Sequence, residues 1–339
     1  MARARSRIGI TLGDPAGVGP DLVARVLSAD AAGEPRGEEL VVFGDRRVLE
    51  QAAARRGLSL PSDLSLVEVT SLEGIVPGRP TAACGAAQVG YLEAAVAEAR
   101  AGRLDALVTA PIHKALCREA GFTFPGHTEF LAERLGARRV AMMLAGPHLK
   151  VVPATIHTSL ASVPSLLAAD PAALAETLAL TVVALKLEFG LPRPRVAVAA
   201  LNPHAGESGH FGDEESRLIG PAIEAARALL GAREAMVEGR DFLLDGPHVP
   251  DAIYRAAAAP PFGEGRYDAV VGMYHDQALI PVKLIDFDEA VNVTLGLPLP
   301  RTSPDHGVAY EVAGTDAVRD TSFRAALALS RLLARNKKT

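Results

Sequence analysis

The sequence predicts an α/β protein of two lobes, with a mainly parallel sheet and helices flanking it. Three observations lead there. Apolar runs of strand length alternate with helical stretches across short links, the pattern of a sheet covered on both faces. The chain has 339 residues, more than one core usually serves. Three apolar runs, residues 151–156, 195–201 and 267–274, each lead into a histidine: His157, His204 and His275. We expect one lobe from residues 1–128 and 295–339, and the other from 129–294.

Composition narrows the function. Hydrophobic residues make up 49% and supply a sizeable core. The net charge of −5, with both signs mixed along the chain, offers no basic patch for nucleic acid. Two distant cysteines, Cys84 and Cys117, fit a reducing cytoplasm and exclude both a disulfide framework and a cysteine-based zinc knuckle. Residues 8–19 contain Asp14, Pro15 and four glycines, so they form no secretory apolar segment. The longest uncharged run, 151–169, holds His157, two prolines and several hydroxyl residues, which is too polar to span a bilayer.

Taken in order, residues 8–12 read as a strand, followed by a glycine-rich turn and a helix from 21 to about 28. Pro20 suits a first helical position, and the glycines serve either a structural turn or close approach to a ligand. Their G-x-x-x-G-x-G spacing is not the dinucleotide fingerprint. Residues 39–44 and 64–69 read as strands around a helix at 46–56. A loop at 77–80 precedes an alanine-rich helix at 82–101. The strand 104–110 is closed by Pro111, with His113 and Lys114 beyond it. Residues 121–129 read as a loop carrying His127 and Thr128, with Thr128 placed to cap a helix at 129–135. Residues 164–189 read as one long amphipathic helix, 206–213 as a glycine-rich loop and 214–230 as a helix. Asp251, within 249–259, is a helix cap by default and a substrate ligand in the alternative. A helix at 321–335 ends the pattern.

Strands of an open parallel sheet point one way, and ligands bind beyond their carboxyl ends. His157, His204 and His275 therefore belong to one edge and can converge on a metal. His148, His210 and His248 lack this placement and read as surface. Three imidazoles leave an open coordination position, the catalytic form of a zinc-like site, and other divalent ions suit the same donors. Such an ion polarises a hydroxyl or carbonyl, which suits a dehydrogenase or decarboxylase, or activates water, which suits a hydrolase. After His275, Lys283, Asn292 and Arg301 arrive at nine-residue intervals in what reads as a loop. They suit an anionic substrate, with arginine favouring phosphate or carboxylate.

The blocks GDPAGVGPDL, TAPIHK, FPGHTEFLAE, LNPHAGE, MYHDQALIPVK, VNVTLGLP and RTSPDHG resemble the 4-hydroxythreonine-4-phosphate dehydrogenase family of pyridoxal phosphate biosynthesis. The likeness runs from residue 8 to about 330, and the family is similar in fold to isocitrate and isopropylmalate dehydrogenases. The resemblance implies metal ligands at His157, His204 and His275. It implies substrate contacts at His127, Thr128, Lys283, Asn292 and Arg301. Asp251 matches the position of a family acid, in surroundings that depart from the family pattern. Asp305, His306 and Gly307 look like the adenosine-binding HG…AG loop of the related dehydrogenases. The implied cofactors are NAD (or NADP) and one divalent ion per site, with zinc, magnesium and cobalt as candidates. The implied reaction oxidises 4-phosphooxy-L-threonine at C3 and decarboxylates the product to 3-amino-2-oxopropyl phosphate. His127, Lys283 and Asp251 all stand as general-base candidates. The implied assembly is a cytoplasmic homodimer with the active site at the subunit interface, and we expect His157 from one subunit and His204 with His275 from the other. A sister dehydrogenase acting on 4-phospho-D-threonate or 4-phospho-D-erythronate is the near alternative. A metal-dependent phosphate hydrolase, working without NAD, is the distant one.

Overall fold

The computed structural model describes residues 5–31, 38–232 and 241–337. Its strands are Ser6–Thr11 (β1), Glu38–Gly44 (β2), Ser65–Glu68 (β3), Ala106–Thr109 (β4), Ala141–Ala145 (β5), Lys150–Pro153 (β6), Arg195–Ala199 (β7), Leu243–His248 (β8), Ala269–Gly272 (β9), Val291–Leu295 (β10) and Arg301–Pro304 (β11). The chain divides into two compact units, Met1–Ala137 with Leu297–Thr339, and Arg138–Gly296.

In the first unit the strand order is β3-β2-β1-β4-β11, with parallel pairing from β3 through to β11. The chain steps outward from β1 to β3, then returns to the other side of β1. The order therefore reverses between β1 and β4, where open α/β sheets bind ligands beyond the strand ends. Ile8, Ile10, Val42, Phe43 and Val108 are fully buried. Helices Ala82–Arg100 and Thr321–Lys337 pack on these strands, which explains their continuous apolar character.

The glycine-rich turn follows β1 and is shaped by protein. Gly13 has φ 70°, and a Cβ there would lie 2.5 Å from the Pro111 carbonyl oxygen. A Cβ at Gly19 would overlap the Leu12 carbonyl. Fully buried Asp14 fastens the turn. Its Oδ1 accepts from Ala16 N at 2.8 Å, and its Oδ2 from Gln88 Nε2 at 3.0 Å and the Tyr310 hydroxyl at 2.5 Å. One carboxylate thus joins the turn, the helix Ala82–Arg100 and the segment after β11.

In the second unit the order is β10-β5-β6-β9-β7-β8. Strands β6, β9, β7 and β8 are parallel; β5 is antiparallel to β6, and β10 to β5. Helix His275–Ile285 packs on β6 and β9, and Pro250–Ala257 on β7 and β9.

Several elements differ from expectation. The single helix expected at 164–189 is two, Val163–Ala169 and Pro171–Leu187. The turn before Pro171 bends them by 92°. Asp170 caps the second helix by accepting from Ala173 N at 3.0 Å, and the ring of Pro171 disfavours helical backbone at residue 170. The expected loop after His275 is instead helix His275–Ile285, strand β10 and strand β11, so Lys283 is helical while Asn292 and Arg301 lie on strands. Pro281 masks this helix, since an interior proline deletes a main-chain hydrogen bond. The helix expected at 129 begins at His127 with Gly126 as its cap, so Thr128 lies in the first turn. Among the described residues, no single helix is long and apolar enough to cross a membrane.

Replacing Asp14 by Ala strands the Gln88 amide and the Tyr310 hydroxyl. We expect a loss of about 3 kcal/mol or more, with Asp14→Asn retaining part of it, read from denaturant midpoints.

Candidate functional site

The first unit brings together His127, Arg301 and Lys114. Thr109 ends β4, and Arg301 begins β11 alongside it. Arg301 is 3% exposed, and its guanidinium donates from Nε and Nη2 to Thr109 Oγ1 at 3.1 and 2.5 Å. Burial pushes its pKa down to about 10, against the opposing pull of Glu129. It therefore stays cationic at neutral pH. His127 opens the helix His127–Leu135. Burial, then the charges of Arg301 and Lys114, hold its pKa well below the usual histidine value, so the ring is neutral at pH 7. Its Nε2 is buried with no hydrogen-bond partner. Buried polar nitrogens are rarely left so, and an oxygen of a ligand satisfies one. Lys114 Nζ lies 3.7 Å from where a Cβ on Gly126 would stand. Two cations beside a helix N-terminus make this corner suited to an anion.

The loop after β11 presents His306 and Gly307 to solvent, with His306 Nδ1 3.0 Å from the Gly307 carbonyl oxygen. A Cβ at Gly307 would meet no protein atom. Tyr310 anchors the loop through Asp14 and lies 5.6 Å, ring to ring, from His113. His113 itself caps helix Lys114–Glu119 by accepting from Leu116 N at 3.1 Å.

In the second unit the neighbouring strands β6, β9 and β7 send their exits to one edge. Ala154 N donates to Gly272 O at 2.8 Å, and Thr155 Oγ1 to Met273 O at 2.8 Å, so the exits of β6 and β9 are laced. Gln277 extends the lacing: its Oε1 accepts from Met273 N at 2.6 Å and its Nε2 donates to Ala200 O at 2.7 Å. His157 follows with φ 48°, a left-handed conformation. His275 opens its helix with Nδ1 2.7 Å from Asp276 Oδ1, an orientation that leaves Nε2 available. The His157 and His275 rings are 5.9 Å apart. Imidazoles bound at about 2.0–2.1 Å to one ion have centroids roughly 5–6 Å apart, so this pair fits a shared metal.

His204 stands apart. Residues His204 to Ser208 all have positive φ, between 42° and 79°. Four of the five are not glycine, and left-handed backbone costs such residues roughly 1–2 kcal/mol each. Strain of this kind concentrates at functional sites. The exposed His204 ring is 6.1 Å from that of Phe211. Among the described residues, no group of three His, Cys, Asp or Glu side chains is gathered for one ion. The neighbour of His275 within one chain is thus His157, rather than His204 as the expected division had it.

Other expected residues fall as follows. Lys283 is half-buried and engages a further group. Asn292 lies opposite Leu144, with its Oδ1 buried and unpartnered. Asp251 is exposed in the first turn of Pro250–Ala257 and does not cap it; Val249 holds that position. His210 is exposed, but His148 and His248 are half-buried and paired rather than simple surface residues. His148 Nδ1 lies 2.6 Å from Asp286 Oδ1, and Asp286 Oδ2 accepts from His148 N and Leu149 N at 3.0 Å. This buried acid ends the helix that His275 begins. His248 Nε2 lies 3.1 Å from Asp245 Oδ2. Sequence reading missed Gln277, Thr155 and Asp286; the first is signalled only by a polar side chain two residues beyond His275.

Solved structures of similar fold include a 4-hydroxythreonine-4-phosphate dehydrogenase from Klebsiella pneumoniae, with a TM-score of 0.80 and 34% identity, covering 97% of this chain and 99% of that one. A terephthalate 1,2-cis-dihydrodiol dehydrogenase from Burkholderia xenovorans gives 0.66 and 30%, with coverages of 96% and 97%. The 4-hydroxythreonine-4-phosphate dehydrogenase of Desulfosudis oleivorans is 46% identical over 338 residues, 95% of this chain and 94% of that protein. The chain is an oxidoreductase of the dehydrogenase class. Residues 36–330 match the family described as pyridoxal phosphate biosynthetic protein PdxA, and the chain belongs to it.

The buried His127 has a stability signature. Its pKa is depressed in the fold, so its contribution is present above the ordinary value of 6.5 and lost as pH falls below it. Replacing His127 by Asn should flatten the acid side of the stability profile, and nitrogen NMR should find the wild-type ring titrating below the ordinary histidine range.

Proposed function

We propose that the protein oxidises the C3 hydroxyl of 4-phosphooxy-L-threonine with NAD, or NADP, and releases CO2 from the resulting β-keto acid. The products are 3-amino-2-oxopropyl phosphate and the reduced cofactor, in cytoplasmic pyridoxal phosphate biosynthesis. The names of the relatives support the substrate. Within this chain, the observation that carries the reading is the buried, neutral His127 with an unpartnered Nε2 beside the Arg301 cation.

Arg301, held in place by Thr109, and Lys283 take the anionic groups of the substrate, with Thr128 as a further contact. Asn292 Oδ1, an acceptor, suits an ammonium or hydroxyl proton. Of the three base candidates we favour His127. The same cations that depress its pKa keep it unprotonated and ready to take the hydroxyl proton. Asp251 is exposed, which weighs against it. Gly307 offers open backbone to the adenosine half of the cofactor, with Asp305 and His306 beside it. A bound divalent ion (zinc, magnesium or cobalt) supplies Lewis acidity for the hydroxyl oxygen and for the charge that develops on decarboxylation.

We assign His157 and His275 to that ion from one subunit and His204 from the second, because the rings of His157 and His275 approach within a chain while no third such ligand joins them among the described residues. A homodimer finds support on the helix that His275 begins. Ile280, Leu284 and Phe287, spaced along its outer face and exit, are 57%, 80% and 69% exposed. An apolar stripe of this kind marks an interaction surface, and a two-fold dimer covers it twice.

The direct test follows reduced-cofactor absorbance with 4-phosphooxy-L-threonine, 4-phospho-D-threonate and 4-phospho-D-erythronate, with NAD and without it. Turnover of the first is expected; NAD-independent phosphate release sinks the reading. Arg301→Ala should lower kcat/KM for the substrate by roughly a hundredfold and barely move the NAD KM. Leu284→Asp should yield monomers in sedimentation and abolish turnover; an active monomer refutes the shared site.

A further inference from the structure

We propose that Glu215 is a positioning residue for His204: its buried carboxylate holds the segment after β7 in the conformation that presents the imidazole to a divalent ion. The inference rests on the metal reading above. Glu215 is 7% exposed. Its Oε1 accepts from the main-chain N–H groups of Leu201 at 2.9 Å and Asn202 at 2.8 Å. Its Oε2 accepts from Asn202 Nδ2 at 3.1 Å, and that amide also donates to Glu214 Oε2 at 2.7 Å. On the far side of His204 the chain returns to the same acid. A Cβ on Gly206 would lie 2.7 Å from Glu215 Oε2, and 2.7 Å from Gly212 O.

His204 therefore sits at the middle of a loop drawn over one carboxylate, gripped two residues before it and closed on two residues after it. The loop needs such a grip, because four of its residues are non-glycine in left-handed backbone. A strained conformation persists only where its surroundings over-determine it. Glu215 itself opens a π-helical turn, Glu215–Ile219, an arrangement that concentrates at functional sites. Its hydrogen-bond partners are all donors of the His204 segment, and no basic side chain pairs with it among the described residues. A buried carboxylate without a cation is a poor choice for stability alone. It is an effective way to collect several N–H donors at one point.

The test uses chelator-stripped full-length protein titrated with Co²⁺. Affinity is read from the visible absorption of the bound ion, with NAD affinity and thermal unfolding measured alongside. Wild type should bind, and His204→Ala should lose that binding. Glu215→Gln should bind roughly tenfold more weakly, and Glu215→Ala roughly a hundredfold, the range found for groups that orient metal ligands. NAD affinity should not change. If His204→Ala binds as tightly as wild type, the metal reading fails and the proposal with it. If His204→Ala loses the ion while both Glu215 variants bind like wild type, the positioning role alone is overturned. An equal loss of NAD affinity would mark a general structural role and also overturn it. Should Glu215→Ala fail to fold, the isosteric Gln variant carries the comparison.

Discussion

Parallel strand pairing is the constraint on which both candidate binding regions depend. In the second unit, β6, β9 and β7 are neighbours running the same way, so three separate stretches of sequence deliver their exits to one edge. In the first unit, the reversal of strand order between β1 and β4 sets the glycine-rich turn beside Thr109 and the segment that follows it. Side chains on those exits need only short loops to reach a ligand. Antiparallel hairpins would have returned every other exit to the opposite edge.

Much of this was legible in the residues. Apolar runs leading into His157, His204 and His275 mark strand ends without any structure, because a buried strand and a polar exit have opposite compositions. The motif blocks around these histidines led to the family that the relatives bear out. What stayed hidden was local conformation set by tertiary context. Pro281 argues against a helix, yet packing on β6 and β9 holds one through it. Asp170-Pro171 breaks a pattern whose apolar periodicity runs straight on. His148 reads as surface because its partner, Asp286, is far away in sequence. The neutrality of His127 is likewise invisible, since it comes from burial and from cations brought in by folding.

A common device recurs where irregular chain must be held still. Asp14 in the turn after β1 and Asp286 at the end of the His275 helix each accept from main-chain N–H groups as well as from a side chain. Asp45 does the same, accepting from Val48 N and Leu72 N and from the Thr70 hydroxyl. A carboxylate has acceptor sites enough for several donors and no donor of its own. It can therefore satisfy loop backbone that has no sheet or helix partner. These acids serve the chain as fixed points for the loops around them.

The left-handed run at residues 204–208 reverses the usual meaning of glycine. Elsewhere glycine loosens a chain; at Ala205, Glu207 and Ser208 it would relax one. A redesign guided by stability alone would write glycine into all three positions and gain from each. The same changes would widen the range of conformations open to the segment carrying His204. Thermal robustness and conformational order pull in opposite directions at this loop, and the native residues stand on the side of order.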